Sequence, residues 1–244
     1  MRVKIEISYL GDEYSGFQIQ KNKKTIQNEI EKVLFEIFNY NISIIASGRT
    51  DAGVSAIRQV AHFDLKEDID VSKLYKRMNS MLPLDIRILS SEKVMQEWHA
   101  RYSAKRKTYC YNFYVSQVLI PYYDKHSLNV GADLNIEAMK KACEYLIGEH
   151  DFSAFCASNT NVVNKTRIIY DAEIKQESEM CYSFEITGNG FLYNMVRIVF
   201  GTLLQVGLSK ITPEEFYSII ESKDRNKAGR TASSKALFLK SVCY

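Results

Sequence analysis

The sequence predicts an α+β protein built as two subdomains that share a mixed, mainly antiparallel sheet with a central cleft. Segments alternating in apolar character are interleaved with segments of helical period, and the order strand, helix, strand pair occurs twice in halves of similar length. Only 11 Gly and 3 Pro among 244 residues leave no composition suited to a linker, so the halves are expected to pack rigidly on one another. The length suffices for one large or two small domains with real cores. The boundary is placed near Trp98–Ala104, giving halves of 1–101 and 102–244.

In the first half, Val3–Tyr9 reads as a strand with Val3, Ile5 and Ile7 on one face, followed by a Gly11-to-Gly16 loop. Thr25 has the character of an N-cap before Ile26, Ile30, Val33, Leu34 and Ile37, which recur at helical spacing. Ile42–Ser47 is a strand entering a Gly48–Gly53 loop, and Gln59–Leu65 is a strand with Val60 and His62 opposite Ala61 and Phe63. A helix over Val71–Met81 stops before Leu82-Pro83, since proline disfavours helix in its predecessor. Ile86–Val94 is the closing strand.

In the second half, Lys107–Val115 alternates strongly and Asn135–Leu146 carries a helical apolar set. Arg167–Lys175 and Cys181–Thr187 read as paired strands. Asn194–Val206 and Pro213–Glu221 read as helices, the latter with proline in its first turn, and Leu237–Val242 supplies a last strand.

Composition removes several function classes. No apolar run approaches the roughly 20 residues of a membrane helix, and Met1–Leu10 alternates like a strand instead of showing a basic-then-apolar signal pattern. The five cysteines and four histidines are scattered without a CxxC pair, which argues against zinc and for reduced thiols in a cytoplasmic protein. A net charge of +3 is too small to identify a partner, so charge distribution must decide.

Two glycines bracket Arg49-Thr50-Asp51, a pattern suited to a tight turn that presents the Asp51 carboxylate after a strand. Spacing alone favours a structural turn, with Asp51 bonded to its own loop and Arg49 as a surface partner. Gly188-Asn189-Gly190 before a helix is a weak nucleotide-binding signal that lacks the third glycine and the ribose-binding acid. No second acid beside Asp51 is evident for a glycosidase-like pair.

The longer word Ser47-Gly48-Arg49-Thr50-Asp51-Ala52-Gly53-Val54-Ser55-Ala56, followed by Gln59-Val60-Ala61-His62-Phe63, resembles the signature of the tRNA pseudouridine synthase A family. Tyr14-Ser15-Gly16-Phe17-Gln18-Ile19-Gln20, Asn79–Ile86, His99–Ala104 and Gly190–Arg197 running into Gly201–Gly207 match further words in order. The resemblance spans essentially the whole chain.

It implies a pseudouridine synthase fold with two ferredoxin-like or RRM-like halves. It also implies isomerisation of uridine to pseudouridine in the anticodon stem-loop of tRNA, the family targets being U38, U39 and U40. Nothing is oxidised and no water is consumed, so no metal or other cofactor is expected. By the same resemblance Asp51 is the catalytic carboxylate, Arg197 its ion-pair partner, and Arg49 a neighbour of the extruded nucleotide. A guanidinium favours and orients the charged carboxylate. Ala104–Tyr111 resembles the family's Arg-rich Tyr-x-Tyr strand, whose first tyrosine, Tyr109, is the active-site one; spacing alone cannot separate it from Tyr111. Leu237 would pack against the target base.

Arg101, Lys105, Arg106 and Lys107 place four cations in seven residues and are expected to contact phosphate, as are Lys21, Lys23 and Lys24 and the set Lys223, Arg225, Lys227 and Arg230. Such contacts offset the few kcal/mol needed to turn a base out of its stack. The resemblance also implies a homodimer presenting one stem-loop across both subunits. Ser55, Arg58, Phe17, Ser233 and Ala236 stand where the family usually has His, Gly, Trp, Pro and Gly, and Arg58 is a candidate additional phosphate contact. The rival from another class is a non-catalytic RNA-binding or tRNA-chaperone protein on the same scaffold.

Overall fold

The computed structural model describes every residue of the chain except Ala132, Asn159 and Asn161. The chain divides into two compact units, Met1–Lys105 with Phe238–Tyr244, and Arg106–Leu237. Each is α+β with a mixed, mainly antiparallel set of strands.

In the first unit, β1 (Arg2–Tyr9) buries Val3, Ile5, Ile7 and Tyr9 on one face. Helix α1 (Ile26–Phe38) is capped as its sequence predicts: the Thr25 hydroxyl accepts the Asn28 N–H, and Ile26, Ile30, Val33 and Leu34 form the buried stripe. Strand β2 is only Ile45–Ala46, shorter than the expected Ile42–Ser47. The Ile44 N–H donates instead to the Glu31 carboxylate on α1 at 2.8 Å, so ladder pairing begins one residue later.

Strand β3 (Ser55–Asp64) starts earlier than expected, and Gln59–Phe63 are all buried, so its alternation separates two covered faces rather than core from solvent. Helix α2 (Leu74–Asn79) is shorter than Val71–Met81. Its start is delayed because Ser91 intervenes: the Ser91 hydroxyl donates to the Val71 carbonyl at 2.6 Å and accepts the Tyr75 N–H at 3.1 Å, the two groups a regular helical turn would join. Strand β4 (Ile86–Val94) has the predicted limits. Strands β4 and β3 flank β1, both antiparallel to it.

In the second unit, β5 (Arg106–Val115) leads to a short helix α3 (Pro121–Asp124) and β6 (Leu128–Val130). Then come α4 (Ile136–Glu144), β7 (Gly148–Asp151), a 3-10 turn at Ser153–Phe155, β8 (Thr166–Gln176) and β9 (Cys181–Gly188). Strands β5, β9, β8 and β7 are antiparallel neighbours in that order, and β6 adds parallel to β5. The elements α3, β6 and β7 are too short to show a period and were not expected. Helix α5 (Met195–Gly207) buries nine residues, and α6 (Pro213–Ser222) opens with a full capping box between Thr212 and Glu215.

The last strand, β10 (Leu237–Cys243), carries the chain back to the first unit. There Phe238 and Leu239 pair parallel with Ser55 and Ala56 of β3.

Candidate active site

Asp51 is half-buried on the loop between β2 and β3. The loop is held by the Tyr14–Phe17 segment. The Phe17 N–H donates to the Thr50 carbonyl at 3.1 Å, and the Gly53 N–H donates to the Tyr14 carbonyl at 3.3 Å. Gly16 permits this approach: it has φ +97°, and a Cβ there would stand 2.8 Å from the Thr50 carbonyl oxygen. Gly53, at φ 76°, closes the turn, where the Val54 N–H donates to the Asp51 carbonyl at 3.1 Å. The early Tyr14–Gln20 word is thus a backbone brace for the Asp51 word.

A second set of contacts comes from side chains to which the sequence assigned no role. The Tyr9 and Thr50 hydroxyls share a buried hydrogen bond of 2.7 Å. Gln59, fully buried, accepts the Ser47 hydroxyl at 2.6 Å and donates to the Gly48 carbonyl at 2.9 Å. The Gly11 N–H donates to the Ser55 hydroxyl oxygen at 3.0 Å. Burial pushes the Tyr9 phenol well above its ordinary pKa, against the smaller opposing influence of Thr50 and Gln59, so Tyr9 is neutral. One signal for Tyr9 was available. It ends the inward row of β1, and a buried tyrosine hydroxyl requires a partner.

In the second unit, Tyr109 lies on β5 opposite Ile186 of β9, half-buried, with its ring edge-on to Phe191 at 5.0 Å between centroids. Tyr111, two residues on, is fully buried, stacks on Phe200 at 4.1 Å, and donates its hydroxyl to the Ser233 carbonyl. The structure therefore separates the two tyrosines that spacing could not. Arg197 extends from the first turn of α5, donating through Nε to the Ala232 carbonyl at 2.7 Å and through a terminal nitrogen to Asn194 Oδ1 at 2.8 Å. Leu237, buried, opens β10 just after the Ala236 carbonyl accepts the Asn112 N–H.

The cationic residues divide between the units. Arg49, Arg58, Arg101 and Lys105 belong to the first and are exposed; Arg106 and Lys107 belong to the second. Arg106 lies over the Tyr170 ring at 4.7 Å and Arg101 over the Tyr102 ring at 5.9 Å, both solvent-facing stacks. Arg225, of the expected phosphate set, donates through one terminal nitrogen to the Ala228 and Gly229 carbonyls of its own loop. Among the described residues no group of three or more His, Cys, Asp or Glu is arranged to hold a metal ion, and no helix is long and apolar enough to cross a membrane.

The tRNA pseudouridine synthase family profile matches residues 6–103 and 142–244. The chain belongs to that family. The tRNA pseudouridine synthase A of Thermoanaerobacter sp. (strain X514) is 43% identical over 242 residues, covering 99% of both chains. That of Bacillus subtilis (strain 168) is 41% identical over 246 residues, covering 100% of this chain and 99% of its own. A looser likeness, at TM-score 0.36 and 14% identity, links 83% of this chain with 44% of a chain in the crystal structure of the archaeal box H/ACA sRNP Nop10–Cbf5 complex.

Two departures from the family pattern have local physical accounts. Ser55, in place of His, supplies the hydroxyl that receives the Gly11 N–H. Phe17, in place of Trp, is buried against Tyr9 with ring centroids 6.1 Å apart. Nothing in the structure explains Ser233 in place of Pro, whose main-chain carbonyl would serve Tyr111 equally well, or Ala236 in place of Gly.

Proposed function

We propose that the protein isomerises uridine to pseudouridine in the anticodon stem-loop of tRNA, with Asp51 as the catalytic carboxylate. The observation that carries this reading is 43% identity across 99% of the chain to a relative named tRNA pseudouridine synthase A. The braced, half-buried loop supports Asp51 itself, because a carboxylate that attacks or deprotonates a nucleotide must be fixed yet reachable. In this reading Arg197 pairs with Asp51 and keeps it ionised. Its anchoring to Ala232 and Asn194 suits a guanidinium that has to present its remaining face in one direction. Tyr109 stacks on the extruded uracil and its hydroxyl helps remove the C5 proton, Leu237 packs against the base, and Arg49 lies beside the nucleotide.

Phosphate contacts come from Arg58, Arg101, Lys105, Arg106 and Lys107. The protein works in the cytoplasm as a homodimer that presents one stem-loop across both subunits. Because the substrate is isomerised, with no change in oxidation state, the chemistry calls for no cofactor.

Tritium release from C5-labelled uridine in tRNA tests the reaction, and Asp51→Ala tests the carboxylate. The variant is expected to bind tRNA and to release no tritium. No release by the intact protein from any tRNA removes the synthase reading, whereas a large loss of affinity in Asp51→Ala makes that residue structural. Light scattering on the free protein tests the dimer.

A further inference from the structure

The Asp51 loop is fixed by two kinds of contact. Backbone bonds from Tyr14 and Phe17 do not depend on the side chains of those two residues. The side-chain contacts are specific: Gln59 on β3 grips Ser47 and Gly48 at the loop entrance, and Tyr9 on β1 grips Thr50, the residue immediately before Asp51. Tyr9 and Thr50 are 3% and 6% exposed, so their hydroxyls have given up water for each other. Burying two hydroxyls is no gain in stability over two apolar groups of the same shape. What the pair adds is direction, since a hydrogen bond fixes the Thr50 side chain and with it the backbone entering Asp51.

We propose that Tyr9 is a positioning residue for the isomerisation, acting through Thr50 to set where the Asp51 carboxylate stands. This rests on the reading of Asp51 as the catalytic carboxylate. Tyr9 touches neither nucleotide nor reacting atoms in this scheme. Its ring remains packed on Phe17 in Tyr9→Phe, so that variant removes one oxygen and little else.

The test compares kcat, tRNA affinity and thermal stability in Tyr9→Phe, in Tyr9→Phe/Thr50→Val and in Asp51→Ala. Tyr9→Phe is expected to lose about tenfold or more in kcat, as a small displacement of a reacting group does, with tRNA affinity unchanged. In the double variant both hydroxyls are gone, so neither is left facing a lost partner and Tm should recover while kcat stays low. That split marks positioning, because a merely structural bond would return rate and stability together. Wild-type kcat in Tyr9→Phe, or recovery of kcat with Tm in the double variant, overturns the proposal. If Asp51→Ala retains turnover, the catalytic reading has failed and the positioning role falls with it. An inactive Asp51→Ala beside a fully active Tyr9→Phe removes only the role of Tyr9.

Discussion

The Tyr111 hydroxyl donates to the main-chain oxygen of Ser233 at 2.9 Å. With its ring stacked on Phe200 and no surface exposed, Tyr111 is a structural pin between β5 and the segment preceding β10. Tyr111→Phe should cost about 1 kcal/mol, the worth of one buried hydrogen bond, and lower Tm by about 2–4 °C for a chain of this size. Tritium release at 25 °C should be nearly unchanged. Tyr109→Phe should show the reverse, with slow release and an ordinary melting temperature. Parallel melting and release assays on the two variants check the assignment.

Gly201 sits inside α5, where alanine would normally gain about 1 kcal/mol. Here the sign reverses, because a Cβ at Gly201 would lie 1.9 Å from the Arg230 carbonyl oxygen. Gly201→Ala must push the 228–232 segment off the helix and with it the Ala232 carbonyl that anchors Arg197. We expect about 1–3 kcal/mol of destabilisation, the usual range for overpacking, together with a reduced kcat. Urea unfolding and tritium release measure the two effects.

His62 is almost fully buried; its Nδ1 accepts the Ala100 N–H at 3.2 Å, and its ring meets Trp98 and His99 edge-on. Desolvation first, then the charge of Arg2, lowers its pKa from the ordinary 6.5 to about 4. Between those values the unfolded chain binds a proton that the native state does not, so stability rises with pH across the window and is lost as acid is added. The loss by pH 4 is on the order of 2–3 kcal/mol. Replacing His62 with Asn, which keeps an acceptor for Ala100, should flatten urea-unfolding stability between pH 6.5 and 4. Asp64, held low chiefly by its hydrogen bond with Arg2, contributes a separate loss only at more acid pH.

Arg58 and Arg106 are exposed cations on β3 and β5. If each neutralises one phosphate, Arg58→Ala and Arg106→Ala should weaken tRNA binding and each reduce the salt slope of log K by about 0.7–0.9. Binding measured across a salt series checks this, and an unchanged slope removes the residue from the contact set.

Much of the fold was legible because its signals are local. Thr25 capped α1 as read, and β4 kept the predicted limits, since side-chain period and breakers lie within the segments themselves. The errors arose where a distant side chain competes for a backbone group. Glu31 takes the Ile44 N–H and Ser91 takes both partners of the first turn expected for α2. In the candidate site, the Asp51 word was legible as a word, but its support was not. The Tyr9–Thr50 bond spans 41 positions and Tyr111–Ser233 spans 122, separations at which periodicity carries no information. The same distance hid the difference between Tyr109 and Tyr111, which alternate identically and differ only in what lies above them.

Strand β10 has a consequence for how the protein is made. The edge of β3 turned away from β1 is covered near its end by β2 and at Ser55 and Ala56 by β10. Its partner there, Phe238, is synthesised after the entire second unit. At 5–20 residues per second a ribosome leaves that stretch of β3 open for on the order of ten seconds or more. An unpaired edge is a template for other strands, and Ser55 and Ala56 have no β10 partner throughout this interval. Substitutions that slow folding of the second unit should therefore surface as aggregation through the first.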